Sequence, residues 1–182
     1  MSIMRKPEEN EPKKAIVLKD SVYHSKLGEY FLGQTEMIRY QGDLQGWGGL
    51  FNPADSGVTM YLNAYTISNF CDRPITAQGW LGGEYSGQSL ISGNVAAGNQ
   101  SITPAPQPKV LIRSASFVTE LPQNGTYTFV RRVEPAITLT KHDFQGMYII
   151  PPGSSFTLFF LPPGDVYAYT KIAFGWWEEG RM

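Results

Sequence analysis

Cysteine is nearly absent: the 182-residue chain carries one, Cys71. A lone thiol cannot close an intramolecular disulfide or build a cysteine zinc site within one chain, which excludes both as internal staples. Histidine is almost as scarce. His24 and His142 lie far apart, and neither sits in a Glu-x-x-His or paired-histidine spacing. Metal and general-base chemistry need partners that such spacing does not supply, so no metal, no cofactor and no enzymatic activity are expected. Charge is sparse too, at 17% of residues against the roughly 25% of an average domain, with a net charge of −1. That balance offers no basic face for phosphates, so nucleic acid is not an expected partner. Long apolar runs are missing as well. No stretch approaches the about 18 apolar residues of a membrane-spanning helix, so no membrane span is expected. The N-terminal MSIMRKPEENEPKK lacks the apolar centre of a secretory signal, so any export is expected to use another route.

What is abundant points one way. Hydrophobic residues make up 42% of the chain and aromatics 13%, with 19 Gly and 13 Pro. Short strands joined by tight turns require that mixture, and one domain of this length is ordinary for an all-β sandwich. Residues 1–20 read as a flexible arm, with almost nothing to bury before the short apolar run AIVLK (15–19). That run, followed by the polar stretch DSVYHSK, reads as a first strand or an extended arm, and 15–19 is the candidate donor strand for a neighbouring molecule. Residues 21–182 form the single domain.

Period-two alternation begins at GVTMYLNAYTISNF, with Val58, Met60, Leu62 and Ala64 on one face and Thr59, Tyr61, Asn63 and Tyr65 on the other. ITAQGWLGG (75–83) reads as its hairpin partner, with Pro74 tolerated at the strand start. Residues 83–108, rich in Gly, Ser, Asn, Gln and Pro, read as a long surface excursion with one short strand. Further strands are expected at 110–119, 126–133, 136–140, 146–150, 155–161 and 166–177, bounded by turns such as Pro151-Pro152-Gly153 and Pro162-Pro163-Gly164. About eight to ten strands at this spacing predict an antiparallel β-sandwich, jelly-roll-like.

Few residues qualify as sites. His142 reads as a turn residue, and Ser154-Ser155 lacks the setting of a nucleophile elbow. Glu178 and Glu179 are adjacent on a strand and face opposite ways, so they form no acid/base pair and read as solvated strand-end charges. The aromatics offer more. Trp47, Trp80, Tyr167, Tyr169 and Trp177 are candidates either for a subunit interface or core, or for stacking a surface glycan. An interface also explains the low-charge surface. The last strand is apolar on both faces, which places it either at the centre of the fold or beneath another chain.

Two blocks, GLFNPADSGVTMYLNAYTISNFCDRPITAQGWLGG (49–83) and MYIIPPGSSFTLFFLPPGDVYAYTKIAFGWWEE (147–179), resemble uncharacterised small jelly-roll-like proteins of Bacillus- and Clostridium-type bacteria and their phages. The arm-then-sandwich organisation is also similar to that of endospore appendage fibre subunits, whose flexible connector reaches into a neighbour. That likeness implies an extracellular or spore-surface setting and a homo-oligomer or polymer. Those subunits cross-link through connector cysteines, which this arm lacks, so a fibre here would be insensitive to reductant unless Cys71 pairs between chains. The expected function is a non-enzymatic structural protein that self-assembles into a filament or other multimer, with Ala15, Ile16, Val17 and Leu18 as its assembly arm. The alternative is a carbohydrate- or surface-binding module using its exposed Trp and Tyr.

Overall fold

The computed structural model describes residues 17–141, 144 and 147–180. In chain order the elements are α1 Asp20–Leu27, β1 Tyr30–Gln34, β2 Ile38–Tyr40, β3 Gln45–Phe51, β4 Val58–Asn69, β5 Ile75–Leu81, β6 Leu90–Ile91, β7 Val95–Ala97, β8 Leu111–Val118, β9 Thr126–Val133, β10 Thr138–Lys141, β11 Tyr148–Ile150, β12 Ser155–Leu161 and β13 Ala168–Gly180. The strands exceed the expected eight to ten because several are only two to four residues long.

One sheet runs β10-β4-β13-β1-β7, with β11 also on β4 and β2 on β13; the other runs β6-β8-β3-β12-β5-β9. Every pairing is antiparallel. Take β1, β3, β4, β5, β9, the β10/β11 pair, β12 and β13 as one to eight in chain order. They then lie as 6-3-8-1 and 2-7-4-5, the strand order of a jelly roll, as the turn spacing predicted. The excursion between β5 and β9 adds β7 beyond β1, and β8 and β6 beyond β3, so it closes one lateral side of the sandwich.

Between the sheets lies a core of large side chains, among them Trp176, Tyr40, Tyr65, Phe156, Phe160, Ile38 and Leu62. Burying each such side chain stabilises the fold by roughly 1.5–3 kcal/mol. The polar tips in this core are satisfied: the Tyr40 hydroxyl and Thr170 Oγ1 are 2.6 Å apart. Burial pushes the phenol of Tyr65 up to about 12 and that of Tyr40 well above the usual tyrosine range, so both stay neutral. β3 is glycine-rich because its inner face has no room. A Cβ on Gly48 would lie 2.8 Å from Ile38 Cδ1 and 2.9 Å from Ile172 Cδ1.

Three readings are revised, and a fourth, left open between two alternatives, is decided. First, the polar DSVYHSK, for which the sequence pattern offers no element, belongs to the helix α1. Asp20 sits in its first turn, His24 and Lys26 in its last, and Gly28 ends it at φ 79°. Second, β4 and β5 are not a hairpin: they belong to opposite sheets. Asn69 turns the corner, its Nδ2 donating to the carbonyls of Arg73, Val133 and Glu134 and its Oδ1 accepting from the Cys71 amide. Cys71 itself is buried, its thiol 3.0 Å from Asn69 Oδ1 and from the Arg73 carbonyl. A disulfide between chains would require opening that corner.

Third, alternation along β4 breaks at a bulge. The register opposite β13 skips Asn63, so Met60 and Leu62 face the core, and then Tyr65 and Ile67 do, while Ala64 is only half-buried. Fourth, β13 is apolar on both faces because it is central, between β4 and β1, with Trp177 covered by the chain's own α1. Its composition therefore needs no second chain.

Candidate functional site

The candidate aromatics separate into four places rather than one platform. Trp47 points away from the inter-sheet core into a second, smaller cluster with Phe159, Ala115 and Val118. It is 1% exposed, and its indole N–H donates to the Ser86 carbonyl at 2.9 Å. Tyr85 lies against it with ring centres 5.1 Å apart, so the loop after β5 roofs this face. Trp80, at the rim of the same cluster, stacks on the half-exposed Tyr127 of β9 at 5.4 Å. Trp47 is therefore core, and the Trp80–Tyr127 pair lies at the partly exposed rim with Phe51 and Tyr85.

Tyr167 and Tyr169 are brought together, ring centres 4.8 Å apart, with Phe117 of β8 joining at 5.8 Å. Phe117 has φ 56°, a left-handed backbone that a bulky L-residue adopts at a cost of roughly 1–2 kcal/mol. Two residues, Ser116 and Phe117, stand where β3 offers only Gly46, and this bulge turns the Phe117 ring outward, 41% exposed. The Ser116 hydroxyl accepts from the Arg39 amide at 2.9 Å, fixing the bulge to β2.

Trp177 is the middle ring of a column. Tyr61 stacks on one side at 5.3 Å and 2°, and His24 on the other at 5.2 Å and 9°. His24 is the buried residue of α1 and ties the helix to the sheet. Its Nδ1 is 2.8 Å from Glu29 Oε2 and its Nε2 3.2 Å from Glu179 Oε1. Both ring nitrogens thus lie against carboxylate oxygens, one on α1's own following turn and one on β13. The cleft around this cluster, about 890 Å³, is also lined by Asp20, Tyr23 and Leu27. Burial, and then the neighbouring Glu179 carboxylate, raise the Tyr61 phenol above its usual range. Sequence spacing hid this cluster because His24 and its carboxylates meet only through the fold.

Glu178 is not solvated, contrary to its reading as a strand-end charge. It is 6% exposed and accepts from the amides of Lys109 and Val110 and from the Trp176 indole, at 2.9–3.2 Å. Its role is to pin the excursion to β13. Among the described residues no group of three or more His, Cys, Asp or Glu side chains is placed to hold a metal ion. No helix among them is long and apolar enough to cross a membrane. His142 lies outside the described residues.

Of the assembly arm, Ala15 and Ile16 lie outside the described residues, while Val17 is 94% and Leu18 37% exposed, ahead of α1 and in no strand. Among the described residues the longest strand at a sheet edge is β9. It is the outermost strand of its sheet and eight residues long, whereas the other outer strands, β6, β7, β10 and β11, have two to four. TYTFVRRV reads as a strand from its pattern alone, but nothing in that pattern tells an edge strand from a central one.

Comparison with known families matches residues 3–181 to a family of unknown function, DUF6143, and the chain belongs to it. No curated protein and no solved structure matches the chain.

Proposed function

We propose that this chain is a non-enzymatic structural subunit that self-assembles by strand addition, with residues 15–19 of one copy pairing along β9 of the next. The observation that carries this reading is the contrast in edge lengths: β9 is an eight-residue edge with a single bulge, at Thr128, on a sandwich whose other outer strands among the described residues are short. Unpaired backbone N–H and C=O groups along such an edge invite another strand, and natural sheets normally shorten, charge or cover them. Here a bulge at Thr128 and the charges of Arg131 and Arg132 blunt the edge in part, while Tyr127 and Val130 stand about half exposed along it. Val17, 94% exposed, and Leu18, partly exposed, supply apolar side chains for such a joint. A five-residue segment spans about 17 Å and would cover more than half of β9.

Removing residues 1–18, a cut that keeps α1 and its N-cap Lys19, tests it. Light scattering and electron microscopy of the full chain are expected to show multimers that the truncated chain, still folded, does not form. Multimers unchanged by the cut would remove the arm from the mechanism, and a full-length monomer at high concentration would remove assembly altogether.

A second reading, a glycan- or surface-binding module, rests on Phe117. A strained, outward-turned aromatic beside Tyr167 and Tyr169 forms a ridge on which a flat apolar sugar face would stack. A polysaccharide pull-down retained by the native chain and lost in Tyr169→Ala would favour it. Equal retention by both would not.

A further inference from the structure

At one end of the sheet that holds β12, the ends of β3, β5 and β8 and the turn before β12 enclose a cleft of about 280 Å³. Its walls are loops held by rigid strands, where binding residues are commonly placed. Gly82, Gly83 and Gly153 have φ of 65°, 101° and 81° and leave the backbone uncovered by side chains. The cleft has one ionised side chain among its lining residues, Arg113, and no carboxylate.

Arg113 is held in a defined pose. Its guanidinium lies over the Phe51 ring at 4.8 Å, and Nε and Nη2 donate to Ser89 Oγ at 3.2 and 2.6 Å. Among the described residues Nη1 makes no hydrogen bond. A guanidinium fixed in plane with donors to spare suits a carboxylate. The polar wall beside it is incomplete. Ser155 and Asn52 are each 2% exposed, yet Ser155 Oγ and Asn52 Oδ1 have no partner. Asn52 has already committed its Nδ2 to the carbonyls of Val58 and Ile150, so its remaining oxygen can only accept.

The Tyr85 phenol is near enough to Thr157 and Ser155 for their hydroxyls to bear on its ionisation. Its proton, however, goes to the Gly82 carbonyl at 2.6 Å, and burial raises it above the usual range, so it stays neutral.

We propose that this cleft binds one acidic monosaccharide or a hydroxy-carboxylate of that size, its carboxylate on Arg113 and its hydroxyls paired with Ser155 and Asn52. The charge on Arg113 calls for an anion. The unpartnered Asn52 oxygen calls for a donor, which a bare carboxylate lacks and a sugar hydroxyl supplies. The size, just under that of ordinary small-molecule sites, fits a single ring. This inference is independent of both readings above, since it uses neither β9 nor the aromatic ridge.

The test is an NMR titration of the full ¹⁵N-labelled chain with sodium D-glucuronate, with D-glucose, sodium acetate and inorganic phosphate as comparison probes. Glucuronate is expected to shift the Arg113 Nε–H and the amides of Gly82, Gly83 and Ser155 saturably, and at least about tenfold more tightly than the three comparators. Arg113→Met keeps an unbranched apolar side chain beside Phe51 and is expected to fold normally while weakening glucuronate at least about tenfold. Ser155→Ala is expected to raise the melting temperature of the free protein, by removing an unpaired buried hydroxyl, while weakening glucuronate. Three results would overturn the proposal: no saturable shift up to about 10 mM, equal shifts with glucose or phosphate, or native affinity in Arg113→Met. A Ser155→Ala variant that melts lower and binds normally would show that a trapped water completes the wall, and would also overturn it.

Discussion

The two lateral sides of the sandwich are treated in opposite ways. Beyond β1 and β3 the chain inserts residues 82–125, which lengthen both sheets with β7, β8 and β6 and are tied down through Glu178. Beyond β4 and β5 it supplies only β9 on one sheet and the interrupted pair β10 and β11 on the other. A sheet edge is a liability unless it is covered or used. A fold that closes one side with a long insertion and leaves an eight-residue strand on the other has an asymmetry that strand addition would exploit. The charges differ as well: the closed side buries the Glu178 carboxylate among three donors, while the open side lays Arg131 over Phe129 and leaves Arg132 exposed.

The largest expected effect comes from breaking the closed side at Glu178. Glu178→Ala would strand the Lys109 and Val110 amides and the Trp176 indole, three buried donors each worth roughly 1–3 kcal/mol when unpaired. A loss of about 3–5 kcal/mol in urea unfolding is expected, together with fast hydrogen exchange at the start of β8. A loss under about 1 kcal/mol would mean the insertion is held by packing alone.

Gly48→Ala tests the strand on which that side leans. The added methyl would meet Ile38 and Ile172 across the core at under 3 Å, so about 1–3 kcal/mol should be lost, read as a lower denaturation midpoint at unchanged slope. His24→Ala should cost less, about 1–2 kcal/mol, because α1 buries little besides that ring. Its signature is local: exchange protection falls across α1 while the β4 and β13 amides keep theirs. Uniform loss of protection would show that the helix is part of the global core rather than a docked element.

Strand positions were legible in the sequence wherever alternation and turn residues agreed, as at 126–133 and 155–161, which coincide with β9 and β12. β3 was not, because QGWGGLF carries glycines in place of an inward face, and the residues that fill the space, Ile38 and Ile172, come from β2 and β13. The β4–β5 hairpin misread proximity as pairing. Asn69 and Cys71, which send the chain to the other sheet, act through side-chain bonds that no pattern of polarity displays. The helix α1 was missed because it has no apolar stripe, only one buried residue whose partners lie at Glu29 and, far along the chain, at Trp177 and Glu179. Of the candidate aromatics, Tyr167 and Tyr169 meet in space, Trp80 meets Tyr127, and Trp47 and Trp177 are buried.

The smallest effect on stability is expected on the open side, and it discriminates best. Val130 stands half exposed on β9 and Leu90 is similarly exposed on β6, the outermost strand at the far end of the same sheet. Val130→Lys and Leu90→Lys each place a cation on an edge, and each should change folding stability by no more than about 0.5 kcal/mol. If β9 receives a neighbour's strand, Val130→Lys must bury or crowd a charge in that joint and should shift the multimer to monomer, while Leu90→Lys leaves assembly intact. Sedimentation of the two variants at matched concentration separates the cases. The reverse pattern would assign the joint to the side that the insertion closes, and the asymmetry of the sandwich would then have to be explained without strand addition.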